Sequence, residues 1–321
     1  MQKKFALILG GSGQDGAFLA EAFLTHDVDV HSISREFSSR ISALQINQTQ
    51  LDLTSEVDIQ QILFEIDPDI VVNLVSLSSV AACEKNPSMS EEINYKLVQK
   101  LVYEIEKFAH RKSKRVHFLQ ASSSEMYGLG NEFCNEHTDM NPVTTYGKHK
   151  LLSHDFLVNR RDQFVRFTSV ILFNHESEFR PEDFVSSKVV RAAAEVATYG
   201  STELEFGNIL SQRDWGYAGD YMTAFARIAL EGTQNCYVVS SSVLNSVEDM
   251  IKVAFNCVGI SDYQKFIKLN QAHIRSIETP PIRGDNTRCK NEFDWSATLS
   301  FENLVQKMVL HRLREMEEKN V

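Results

Sequence analysis

One stretch near the start limits the fold more than any other. Phe5-Ala6-Leu7-Ile8-Leu9 is a continuous apolar run. Gly10-Gly11-Ser12-Gly13-Gln14-Asp15-Gly16 follows at once, and Ala17 to Leu24 then reads as helix. A short, unbroken apolar run bounded by a turn reads as a strand covered on both faces. Glycine lets the chain bend sharply and lets a pyrophosphate approach the backbone. The helix that follows offers unpaired N–H groups and a partial positive charge. Strand, glycine turn and helix in this order point to dinucleotide binding at Gly10, Gly13, Gln14, Asp15 and Gly16. A plain strand–helix turn is the bland alternative.

The rest of the N-terminal half keeps the same rhythm. A second strand, Val28 to Ser34, leads into Arg35-Glu36. Arg35 can pair bidentately with a 2′-phosphate, which favours NADP over NAD; Glu36 beside it works against that pairing. Gln48 to Leu53 reads as a third strand, with Asp52 placed to meet an adenine amino group. A helix over about Ser55 to Glu65 precedes the strand Ile70 to Leu74, and Ser76, Ser78 and Ser79 suit a loop lying over a cofactor. A long helix is expected from about Glu91 to His110. Strands alternating with helices predict a doubly wound parallel α/β sheet.

The apolar run Val116-His117-Phe118-Leu119 leads to Gln120-Ala121-Ser122-Ser123-Ser124-Glu125-Met126-Tyr127-Gly128. Ligands of such sheets bind beyond the carboxyl ends of the strands, where a carboxylate within reach of a substrate proton acts as base or acid. A solvated Ser-rich turn is the competing reading. Tyr146 and Lys150 are four apart and share a helical face. A nearby ammonium favours the phenolate and is expected to lower the Tyr146 pKa, fitting it to take a proton from a sugar hydroxyl. The strand Arg166 to Phe173 ends in Asn174-His175-Glu176-Ser177. Beyond it, strands shorten and loops carry more charge, as in a smaller substrate-binding domain. Residues 1–175 are therefore expected to bind the dinucleotide, and residues 176–321 mostly the substrate, with some segments returning to the sheet. Leu304 to Lys319 reads as an amphipathic packing helix.

Composition narrows the classes. Of 321 residues, 33 are Lys or Arg and 43 are Asp or Glu, a formal net charge of −10, which argues against nonspecific nucleic-acid binding. The five cysteines, Cys83, Cys134, Cys236, Cys257 and Cys289, contain no CxxC pair and read as reduced thiols; no metal site is expected. The opening Met1-Gln2-Lys3-Lys4 and its short apolar run read as a first strand rather than a signal peptide, and no run approaches a membrane span. A soluble cytoplasmic protein is expected.

Together these motifs resemble the extended short-chain dehydrogenase/reductases, and within them the GDP-mannose 4,6-dehydratase family, from Ala6 to about Trp295. The most specific pieces are Gly10 to Gly16, Gln120 to Gly128, Ile171-Leu172-Phe173-Asn174-His175-Glu176-Ser177, and Gly207-Asn208 with Arg213-Asp214-Trp215-Gly216. The resemblance implies a Rossmann sheet, an NADP cofactor (NAD being the lesser alternative), a GDP-sugar substrate and a homodimer or homotetramer. Carried over residue by residue, Tyr146 and Lys150 are the redox pair, Glu125 moves protons, and Ser123 holds the sugar 4-hydroxyl where the family usually has Thr. Arg35, Asp52, Leu53, Leu74, His175 and Arg180 join the glycine turn in holding the cofactor. Ser78, Asn174, Lys188, Arg213, Arg275 and Glu278 hold the GDP-sugar. The chain departs from the family at Glu36 and Phe179 (usually Arg), Leu77 (Gln), Ser79 (His) and Pro181 (Gly). The implied reaction is a redox-neutral dehydration of GDP-mannose to a 4-keto-6-deoxy sugar. Another GDP-sugar, such as GDP-N-acetylglucosamine or a GDP-heptose, is the alternative, as is a 4-epimerase or 4-ketosugar reductase, which needs no carboxylate at Glu125. A nucleotide-sensing protein without activity would be expected to lose Tyr146, Lys150 or Glu125.

Overall fold

The structure is a computed structural model that describes residues 3–54, 59–129, 132–202, 205–270 and 279–319. Seven strands form its central sheet: Phe5–Leu9 (β1), Asp29–Ser34 (β2), Asn47–Gln50 (β3), Ile70–Asn73 (β4), Val116–Ser123 (β5), Val165–Leu172 (β6) and Cys236–Val239 (β7). Their order is β7-β6-β5-β4-β1-β2-β3, with every pairing parallel. Strand order reverses between β1 and β4. This is a doubly wound Rossmann sheet, and its ligand crevice belongs at that reversal, beyond the strands' carboxyl ends.

The apolar runs form central strands because both of their faces are covered. In β1, Ala6 and Ile8 point into one core layer, and Leu7 and Leu9 into the other. The first layer is closed by Gln14–Thr25 (α1) and Ala218–Glu231 (α5), with Phe23, Tyr221 and Phe225 fully buried. The second is closed by the helix Ile59–Ile66, by Leu97–Lys112 (α2) and by Leu157 of Thr145–Val158 (α3). The helix expected from Glu91 to His110 is interrupted: Glu92–Lys96 is a single π-helical turn between Pro87–Glu91 and α2. The expected third strand stops at Gln50, short of Asp52. Asn174–Glu176, expected as a polar strand end, is itself a short strand.

A separate core joins Val185–Tyr199 (α4), Val247–Cys257 (α6) and Phe301–Lys319 (α7) around Trp215, whose ring stacks on Phe301 at 5.8 Å. A three-stranded sheet lies beside it, with Gln212–Tyr217 between Leu244–Ser246 and Asn174–Glu176. That pairing sets Asn174 opposite Trp215. Among the described residues, no helix is long and apolar enough to cross a membrane.

Candidate active site

The glycine turn is built by backbone demands. Gly10 has φ +86°, and its N–H bonds the Ile33 carbonyl at 2.7 Å, so the chain leaves β1 against the end of β2. A Cβ at Gly16 would collide with the Gly11 backbone, which explains a glycine in the first turn of α1. Gly13, the N-cap of α1, carries no side-chain cap, and a Cβ there would meet only the Gly10 carbonyl, at 3.5 Å. This twelve-residue helix thus begins with no side-chain cap at its N-terminus, and the turn fits the pyrophosphate of a dinucleotide.

The side chains beside the turn face one another. Asp15 Oδ2 lies 3.1 Å from His175 Nε2, and His175 Nδ1 lies 2.7 Å from the Phe173 carbonyl. Gln14 donates to the His175 carbonyl at 3.1 Å and accepts from Ser177 at 2.9 Å. Burial opposes charge on both Asp15 and His175. Their mutual attraction prevails, holding the Asp15 carboxyl below and the His175 imidazole above their ordinary values. A carboxyl held low contributes stability above about pH 4 that is lost on acidification; an imidazole held high contributes stability below about pH 6.5 that is lost as pH rises through its raised value. The pair is therefore worth most between those limits. Asp15→Asn is expected to cost about 1.5–3 kcal/mol there, with a smaller deficit at neutral and higher pH; unfolding of both proteins across pH checks it.

Other expected cofactor contacts are placed as follows. Arg35 is exposed just past β2, where it favours the charged form of Asp52. Asp52 is exposed, and its carboxylate accepts from the Thr54 N–H at 2.9 Å and hydroxyl at 2.6 Å. Leu53 is buried, and the Leu74 N–H bonds Leu9 beside the turn. Arg180 lies 3.0 Å from the buried Glu176 and 3.6 Å over the Phe184 ring. Arg40, absent from the expectations, lies 3.6 Å from the ring centroid of Phe179 and 4.6 Å from that of Phe18. It donates to the Gln14 carbonyl at 3.0 Å.

Ser123 ends β5, and its hydroxyl accepts the Glu125 N–H at 3.2 Å, shaping one 3-10 turn over Ser124–Met126. Helix α3 packs directly on that turn, because a Cβ at Gly147 would collide with the Glu125 carbonyl. Thr144 caps α3 by accepting the Gly147 N–H at 3.0 Å, and its own hydroxyl donates to Glu125 Oε2 at 3.4 Å. Glu84 holds the same helix start, accepting the Thr145 N–H at 2.7 Å and hydroxyl at 2.9 Å. Tyr146 and the Glu125 carboxylate are thereby fixed to one helix N-terminus.

Tyr146 and Lys150 are both buried in α3. Lys150 Nζ donates to the Ala121 carbonyl at 2.8 Å and lies 5.7 Å from the Tyr146 ring centroid. The expectation of a lowered Tyr146 pKa is overturned. Burial pushes the phenol up to about 12, opposed by the hydroxyls of Ser76 and Ser123 and reinforced by the Glu125 and Cys83 charges. Burial also pulls the Lys150 ammonium down to about 8. Desolvation of a phenolate outweighs the neighbouring hydroxyls that favour it.

Of the expected substrate residues, Ser78 is exposed, Asn174 and Lys188 are half-buried on their strand and helix, and Arg213 donates to Ser211 at 2.9 Å and to the Gln212 carbonyl at 2.6 Å. Arg275 and Glu278 lie outside the described residues. Ser79 caps the helix Val80–Lys85, accepting from the Ala82 N–H at 3.3 Å. Sequence reasoning missed Glu84, Thr144 and the buried Asn94, whose Oδ1 accepts the Ser76 hydroxyl at 2.8 Å and the Leu77 N–H at 3.2 Å. Thr144 was findable as a helix-capping threonine; the partners of Asn94 and Glu84 are far away in sequence and left no local signal.

A family model described as GDP-mannose 4,6 dehydratase matches residues 7–308. GDP-mannose 4,6 dehydratase 2 of Arabidopsis thaliana is 31% identical, over 96% of this chain and 86% of its own length. Among solved structures, the UDP-glucose 4-epimerase of Thermotoga maritima superposes with a TM-score of 0.84 at 17% identity, covering 97% of this chain and 99% of that one. The dTDP-glucose 4,6-dehydratase of Bacillus anthracis, solved with NAD, gives 0.81 at 17% identity, covering 98% of each.

Proposed function

The chain belongs to the GDP-mannose 4,6-dehydratase family, and from that premise we propose that it removes water from a GDP-hexose, GDP-mannose first, to give the 4-keto-6-deoxy sugar. Glu125 carries this reading. It stands one turn beyond β5, tied through Thr144 to the helix of Tyr146 and Lys150. An epimerase or ketosugar reductase has no use for a carboxylate there; a dehydratase needs one to move a proton from carbon 5.

The cofactor is a nicotinamide dinucleotide, which when bound supplies the acceptor and donor of hydride. Gly10, Gly13 and Gly16 would hold its pyrophosphate at α1, with Asp52, Leu53 and Leu74 as further contacts. Gln14, Asp15, His175 and Arg180 serve it by fixing the walls of that crevice. Arg35 favours NADP over NAD. Ser123 orients the sugar 4-hydroxyl, and Tyr146, as phenolate, accepts its proton. Lys150 supplies positive charge to that phenolate. The resulting 4-ketone acidifies the carbon 5 hydrogen, which Glu125 takes and then delivers to the departing 6-hydroxyl; the 5,6-ene left behind regains hydride at carbon 6 and takes a solvent-derived proton at carbon 5. Both Glu125 steps are ordinary general base and acid catalysis. Asn174, Lys188, Arg213, Arg275 and Glu278 hold the GDP. The protein works as a soluble cytoplasmic homodimer or homotetramer, with exposed Tyr103 and Leu152 on α2 and α3 available to such an interface.

The test is turnover of GDP-mannose and GDP-N-acetylglucosamine with NADP⁺, read by mass spectrometry. A product one water lighter from GDP-mannose supports the reading; the same loss only from the N-acetyl sugar moves the substrate. A product of unchanged mass, or none, rejects the dehydratase.

A further inference from the structure

We propose that Gln48 is a positioning residue for dinucleotide selection: its carboxamide pins the loop after β2 so that Arg35 is held ready for a 2′-phosphate. The proposal rests on the reading of Arg35 above and concerns a residue that reading does not use.

The geometry begins on β3, the last strand of the central sheet, where Gln48 stands opposite Ser32 of β2. Its carboxamide reaches the loop beyond β2. Oε1 accepts the Ser38 N–H at 2.8 Å. Nε2 donates to the Ser38 carbonyl at 3.2 Å and to the Ser42 hydroxyl at 2.8 Å. The Ser42 hydroxyl in turn donates to the Ser38 carbonyl at 3.1 Å, so all of these bonds agree on one amide orientation. Ser38 is the N-cap of the short helix Ser39–Ala43, its hydroxyl accepting the Ile41 N–H at 3.4 Å. That helix has two anchors of its own. Ile41 is fully buried in the core layer of α1, and Arg40 donates to the Gln14 carbonyl at 3.0 Å.

Arg35 therefore lies in a span of three exposed residues, Arg35, Glu36 and Phe37, between two fixed points. At one end Ser34 belongs to the sheet. Its carbonyl accepts the Leu51 N–H at 2.8 Å, and its hydroxyl donates to the Glu36 carbonyl at 2.9 Å. At the other end Gln48 holds both sides of the Ser38 backbone. A span this short has few conformations once its ends are fixed, so binding does not have to order it. The 2′-phosphate is the group by which NADP differs from NAD, and a bidentate guanidinium contact depends on where the guanidinium stands. Releasing Ser38 therefore weakens the phosphorylated dinucleotide selectively. Neither the glycine turn nor its Arg40 contact uses Gln48, and the pyrophosphate site is expected to stand.

Gln48→Met keeps the side-chain length and removes the three bonds. Calorimetric titration of the full chain is expected to show NADP⁺ binding about 3–10-fold weaker and NAD⁺ binding unchanged. An unchanged ratio of the two affinities overturns the proposal, whether neither moves or both fall together as a merely structural role would make them. In an Arg35→Leu background, Gln48→Met is expected to change neither affinity; an NADP⁺ loss there as large as in the unsubstituted chain also overturns it. Arg35→Leu alone tests the underlying reading. If it abolishes a preference for NADP⁺, that reading holds and Gln48→Met decides the role of Gln48. If the unsubstituted chain binds both dinucleotides alike, or the preference survives Arg35→Leu, the reading of Arg35 fails and the role of Gln48 falls with it.

Discussion

Glu125→Gln is expected to slow dehydration by about 10²–10⁴-fold while leaving dinucleotide affinity unchanged. The amide has the size and shape of the carboxylate, and its oxygen still accepts the Thr144 hydroxyl that holds Glu125 Oε2 at 3.4 Å. The turn is set mostly by backbone: Ser123 accepts the Glu125 N–H, and the Glu125 carbonyl packs against Gly147. What the substitution removes is a group able to take a proton from carbon 5. Loss of turnover with retained dinucleotide binding, measured by titration, separates this from unfolding. A variant that makes the 4-keto-6-deoxy product at the unsubstituted rate removes Glu125 from the mechanism.

Asp214→Ala is expected to lower the unfolding free energy by about 3–5 kcal/mol. Asp214 is 1% exposed in the middle strand of the three-stranded sheet. Its Oδ1 accepts the Ser241 N–H at 2.9 Å and the Ser241 hydroxyl at 2.6 Å. Its Oδ2 accepts the N–H groups of Ser242 and Gly284, each at 3.0 Å. Alanine takes this partner from the N–H groups of Ser241, Ser242 and Gly284, and each that stays buried and unpaired costs about 1–3 kcal/mol. Asparagine repairs this only in part: an NH₂ in place of Oδ1 can donate to the Ser241 hydroxyl but faces the Ser241 N–H, and one in place of Oδ2 faces two N–H donors. Burial raises the Asp214 pKa, opposed by these same bonds. A denaturation midpoint for either variant close to that of the unsubstituted chain would contradict this role. The same hub fixes the strand that carries Arg213 and Trp215, the latter stacked on Phe301.

How much of this was legible in the sequence depends on the reach of each interaction. The turn at Gly10 was readable because a left-handed φ and a close backbone approach are local demands that only glycine meets. The strands were readable because Ala6 and Leu7 both needed cover, on opposite faces of one sheet. Tyr146 and Lys150 were readable as a pair because a helix repeats over four residues. The Asp15–His175 pair spans 160 residues, and the Ser76–Asn94 bond passes through a π-turn that breaks the helical period. Neither leaves a periodic trace. The Asx-type turn that the Asp52 carboxylate makes with Thr54, two residues on, was local as well, and the reading of Asp52 toward an adenine did not use it. The direction of the Tyr146 shift was missed for another reason: the spacing to Lys150 was visible, but the depth of burial was not.

The central claim is that Glu125 and Tyr146 together remove water from a GDP-sugar by way of an acidified carbon 5. Turnover of GDP-mannose with NADP⁺ in deuterium oxide tests it most directly. The account predicts a product one water lighter that carries solvent deuterium at carbon 5. A product of unchanged mass inverted at carbon 4, or a dehydrated product with no solvent deuterium at carbon 5, would contradict it.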